Sequence, residues 1–166
     1  MQLFNRKQEE EPEEFWQKTA ERRGGQVGFL TFATLLGRAG DRPMELPGLL
    51  YVVGDMIWFE DFERDNWLAR IIGGKRKFEK TELSFGRAEI RVSRLVSRSA
   101  AMRCIGGGLP VAQLHAVSSV ARIFTTPIVQ VTLDNGTTLF FDMIRRAEFV
   151  SEVAGGAAAA ASRPGR

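Results

Sequence analysis

The chain is poor in the residues that carry covalent and metal chemistry. Among 166 residues there is one cysteine, Cys104, and one histidine, His115. A single cysteine excludes an internal disulfide and fits a reducing compartment. A histidine- or cysteine-based metal site lacks ligands. A Cys104–His115 nucleophile pair finds nothing in the local sequence to activate either member. No apolar run approaches the ~18 residues that span a bilayer. The opening MQLFNRKQEEEPEE is acidic and holds no apolar signal-peptide core. The glycine clusters Gly24-Gly25, Gly73-Gly74 and Gly106–Gly108 fit neither GxxxxGK(S/T) nor GxGxxG. These absences together predict a non-enzymatic, cofactor-free protein of the cytoplasm.

What is present is an uneven charge. The net value is +3, yet between Glu45 and Asp65 six acids face Arg64 alone. From Arg70 to Arg103, ten lysines and arginines stand against Glu79, Glu82 and Glu89, a net of +7. The acidic run Glu60, Asp61, Glu63 and Asp65 lacks the glycine and distal glutamate of a calcium loop and reads as a solvated strand end. The densest cationic group is Lys75, Arg76 and Lys77 with Lys80, next to Phe78. Four cations in six residues suit an anionic surface, at about 1 kcal/mol each near a charged membrane. Too few aromatics interleave them to stack bases, which disfavours nucleic acid.

The periodicities outline a mainly β chain with helices at its ends. Pro12, Glu13 and Glu14 open a helix over 12–23 that Arg22, Arg23 and Gly24 close. Its Phe15 and Trp16 pack on their own domain or, in a sharper reading, insert into a membrane. QVGFLTFATLL (26–36) reads as a strand and 37–48 as a mobile loop. Leu49–Val53 and Met56–Phe62 form a hairpin about Gly54-Asp55. Residues 63–77 connect it to strands at 78–85 and 89–96, the latter with a bulge near Ser93. Residues 97–105 are open between helix and strand, and 109–124 carries a helical spacing. Asn135-Gly136 signals a two-residue hairpin pairing Leu133 with Thr138, Val131 with Phe140 and Val129 with Asp142. Val129, Val131, Leu133 and Phe140 then share one face. Asp142 is the expected N-cap of a closing helix with Phe149 and Val153 on one side. The units are a tail and short helix (1–25), one domain (26–154) and a low-complexity tail (155–166).

Three stretches, PGLLYVVGDMIWFEDF, ELSFGRAEIRVSRLV and LDNGTTLFFDMIRRAEFVSEV, resemble pleckstrin-homology-like domains, including the GRAM branch. The resemblance covers roughly residues 26–154. It departs where the tryptophan usual in the closing helix is absent, and where residues 97–125 exceed the pattern. It implies a strongly bent, seven-stranded antiparallel barrel capped by the C-terminal helix, binding lipids or proteins. The leading expectation is an interaction module for a protein partner, with Lys75, Arg76, Lys77 and Lys80 touching that partner or an anionic lipid surface at the inner membrane face. The alternatives are a small-ligand barrel with a pocket near Cys104 and His115, and a nucleic-acid binder.

Overall fold

The computed structural model describes residues 12–61, 82–118 and 120–161. Helix α1 (Pro12–Arg23) precedes strands β1 (Val27–Arg38), β2 (Leu46–Val53), β3 (Met56–Asp61) and β4 (Glu82–Gly86). A 3₁₀ turn (Arg87–Glu89) leads into β5 (Ile90–Ser97) and α2 (Arg98–Ile105). A second 3₁₀ turn (Val111–Gln113) and the single turn α3 (Ala121–Phe124) come before β6 (Pro127–Leu133), β7 (Thr138–Met143) and α4 (Arg146–Ala161).

All seven strands form one antiparallel sheet in the order β4-β3-β2-β1-β7-β6-β5. The long strand β1 is shared by both halves. Its Val27–Leu35 stretch pairs with β2, Ala33–Arg38 pairs with β7, and an irregularity falls between Leu35 and Gly37. The expected closure into a barrel is not made by strand pairing. Among the described residues β4 and β5 are the two edges, and α4 packs against β5 and the 3₁₀ turn between them.

Side-chain alternation splits the burial into two cores. The inner core holds Phe29, Leu50, Ile57, Phe59, Phe85, Val129, Val131 and Phe141, with Phe149 and Val153 of α4. Leu36, Val96, Ile128 and Phe140 lie on the other face under Ala101, Cys104 and Ile105 of α2, and Leu114. Residues 97–105 thus resolve to a helix, because the Ser97 hydroxyl accepts the Ala100 amide and serves as N-cap.

Four expectations need correction. The β6–β7 loop has three residues, Asp134–Gly136, and the register is Val129↔Phe141, Val131↔Leu139 and Thr132↔Thr138. A type I′ turn demands positive φ at Asn135, which does not adopt it; within this loop Gly136 alone does, at 85°. The one-residue offset moves Phe140 to the outer core and brings Leu139 and Phe141 inside. Secondly, Asp142 lies in β7 and holds Arg98 at 2.7 Å, while α4 begins only at Arg146 and runs through the alanines to Ala161, as alanine's helix preference allows. Thirdly, 109–124 is not one continuous helix but a 3₁₀ turn and the single turn α3 with extended chain between them. The Val117 amide bonds Leu95 O on the β5 edge at 2.8 Å instead of a carbonyl of its own segment. Lastly, the β5 bulge falls between Ile90 and Val92 rather than near Ser93.

Candidate functional site

Two features concentrate polar chemistry: a buried ionic latch under α1, and a cleft at the open corner of the sheet.

The latch lies on the outer side of β2 and β3. Ile57 and Phe59 point into the core, so Trp58 and Glu60 face the other way, as Tyr51 does on β2. Helix α1 covers this surface. Trp16 meets Tyr51 edge-on at 6.1 Å, and the Arg23 guanidinium lies 3.6 Å over the Trp58 ring. Three donors converge on Glu60 Oε1: Arg22 at 2.9 Å, Arg23 at 2.8 Å and the Tyr51 hydroxyl. Arg23 also reaches Glu82 on β4 at 2.9 Å and donates through Nε to Tyr51 at 3.2 Å. Burial opposes the Arg23 charge, but the bonds to Glu60, Tyr51 and Glu82 outweigh it and hold its pKa above the ordinary value. Glu60 is therefore no solvated strand end; it is 7% exposed and is the anchor of α1. Glu63 and Asp65 lie outside the described residues.

Tyr51 is the chain's only tyrosine, so tyrosinate absorbance reads this group alone. Burial first, and the bond to Glu60 next, raise its pKa above the usual 10.0. Folded protein is expected to stay free of tyrosinate as the pH passes about 10, the ordinary tyrosine range. The folded value is the higher one. The contribution to stability is thus intact below the unfolded pKa of about 10, and is lost as pH rises from there through the folded value. An ordinary tyrosinate midpoint in a still-folded sample contradicts the buried bond.

The open-corner cleft has a volume of about 310 Å³, at the lower end of the ~300–1,000 Å³ typical of ligand pockets. Leu35, Leu83, Phe85, Leu133 and Leu139 form its floor, while Arg38, Asp41, Ser84, Asn135 and Thr137 stand at its rim. Arg38 and Asp41 are 3.9 Å apart and both largely exposed, a loose pair. Leu83, Ser84 and Phe85 of β4 line one side of the cleft. Lys75, Arg76, Lys77 and Lys80 lie outside the described residues.

The remaining sequence candidates separate. Cys104 is sealed in the outer core and burial pushes its thiol pKa up, away from the nucleophilic thiolate. His115 is exposed, and no hydrogen bond joins the two. Trp16 packs on its own domain against Tyr51. No group of three or more metal-ligating side chains occurs among the described residues, nor a helix long and apolar enough to cross a membrane.

No family model and no curated protein matches this sequence. Among solved structures it is similar to the C-terminal domain of an unknown protein from Leishmania infantum. The identity is 11% and the TM-score 0.49, over 86% of this chain and 94% of that one.

Proposed function

We propose that the chain is a non-catalytic docking module of pleckstrin-homology-like architecture, and that the open corner takes up a protein partner. The observation that carries this is the cleft, with its apolar floor and polar rim. It is large enough for one or two apolar side chains of a partner. Two further features support it. The strands follow one another as an antiparallel meander on either side of β1. Helix α4 packs against β5 and the 3₁₀ turn that precedes it. In this reading Lys75, Arg76, Lys77 and Lys80, on the connection into β4, add a salt-sensitive attraction to acidic groups of the partner.

Reversing Lys75, Arg76 and Lys77 to glutamate, and separately filling the cleft with Thr137→Trp, tests both halves. A partner captured from source lysate at low salt is expected to bind each variant at least tenfold more weakly, with melting temperatures unchanged. If the captured partner tolerates both changes, the open corner is not its docking site.

A further inference from the structure

The cleft runs beside a strand edge, and the two edges of the sheet differ. On β5 the chain covers its own edge: α4 packs against the strand, and the Val117 amide takes Leu95 O at 2.8 Å. Strand β4 pairs with β3 on one side, and among the described residues no strand pairs with it on the other.

Two bonds show which backbone groups of β4 face that open side. In an antiparallel pair, successive residues turn their N–H and C=O alternately toward and away from the neighbouring strand. The Arg87 amide bonds Asp55 O, just before β3, at 2.8 Å. By alternation Phe85 and Leu83 also face β3. The Gly86 amide turns the other way, to the Glu89 carboxylate at 3.0 Å. Ser84 and Glu82 therefore face outward with it. Ser84 is exposed and lines the cleft, and its backbone has no partner among the described residues. The side chains alternate as well: Leu83 and Phe85 belong to the apolar floor, while Ser84 and Glu82 share the outer face with Trp58 and Glu60. An outward N–H and C=O above an apolar floor match an extended chain. A helix bonds its own backbone groups and would leave these unmet.

We propose that the partner taken up by the open corner binds as an extended segment, adding an antiparallel strand to the free edge of β4. This rests on the docking reading above and gives the partner a chemistry. Ser84 exchanges both backbone bonds with the residue opposite it. Residues opposite Phe85 and Leu83 point to the floor and are apolar; the one opposite Ser84 points outward and is small or hydroxylated. The residue opposite Glu82 is basic, because that carboxylate, although bonded to Arg23, is 40% exposed and favours an unlike charge across the strands. The segment reads apolar, serine or threonine, apolar, lysine or arginine.

The probe is the hexapeptide Thr-Val-Ser-Val-Lys-Thr, blocked at both ends, and the readout is amide hydrogen exchange in the full chain. Without peptide, the Ser84 amide should exchange roughly tenfold or more faster than those of Leu83 and Phe85, which are bonded to β3. Excess peptide should slow Ser84 by about fivefold or more. The same peptide N-methylated at its serine keeps both valines but cannot donate to Ser84 O, and should give no protection. Ser84→Pro removes the outward donor and no bond to β3, as proline on a free edge allows. It should weaken the peptide roughly tenfold, the cost of about one hydrogen bond, with the β3–β4 amides still protected. The inference is overturned if Ser84 is already protected in the free chain, or if excess peptide leaves its exchange unchanged. It is equally overturned if the N-methylated peptide protects as well as the parent, or if Ser84→Pro binds the peptide as wild type does. These outcomes do not touch the docking reading, which stands or falls on Thr137→Trp with the captured partner.

Discussion

Glu60→Ala is expected to remove roughly 3–5 kcal/mol of folding stability, the usual cost of deleting one partner of a buried charge pair. The carboxylate side chain is 8% exposed and that of Arg23 12%. Its loss strands the Arg23 charge with only the half-exposed Glu82, and leaves the Tyr51 hydroxyl without its acceptor. Arg22 is half exposed and recovers water, so little of the cost comes from it. For a chain of this length the change corresponds to a fall of roughly 6–20 °C in melting temperature. Glu60→Gln keeps the shape and one acceptor, and should cost less. The cation–π contact of Arg23 with Trp58 depends on the same geometry. Tryptophan emission and α1 helicity should therefore change together with the melt in the alanine variant. A drop under about 1 kcal/mol would mean that α1 is held by apolar packing alone.

How much of this was legible in advance follows from the range of each interaction. The helix over 12–23, the hairpin about Gly54-Asp55 and the apolar strands emerge from local signals: a proline start, alternation, and glycine turns. The slip at Asn135-Gly136 shows where local signals run out. Asn-Gly suits a two-residue turn and also a three-residue loop with only the glycine left-handed, and the choice was made by which of Phe140 and Phe141 enters the inner core. The Arg23–Glu60 latch spans 37 residues of sequence, and no periodicity within either segment encodes it. The one available cue was Glu60 sharing a strand face with Trp58, two residues before it. The open-corner cleft was equally hidden, because its lining comes from β1, β4, β6 and β7 and the connections beside them. Charge, by contrast, is additive along a chain. The net of +7 from Arg70 to Arg103 was therefore readable without a fold.

Gly48→Ala is the second large effect, and it acts on the same strands. Gly48 pairs with Asp61 across β2 and β3. A Cβ built there lies 2.2 Å from Glu60 O and 2.9 Å from both Glu60 C and Asp61 Cα. All three atoms are backbone, so no rotamer change relieves the contact; the strands must separate. Opposing this is the smaller entropy that alanine gives the unfolded chain, worth about 0.4–1 kcal/mol where the native backbone accepts it. Overpacking costs about 1–3 kcal/mol when side chains can shift. Here they cannot, so the net loss should reach or exceed the upper end of that range. Gly28 supplies the control: it also lies in a strand, but a Cβ there meets nothing within 4 Å, so Gly28→Ala should be neutral or slightly stabilising. Pushing the end of β3 outward also displaces Glu60, so Gly48→Ala should already loosen the latch. Adding Glu60→Ala to it should then cost less than the sum of the two single changes, a coupling that chemical denaturation of the three variants measures. Additive costs would place the strain of Gly48→Ala away from the carboxylate, and would detach the packing of β2 on β3 from the anchoring of α1.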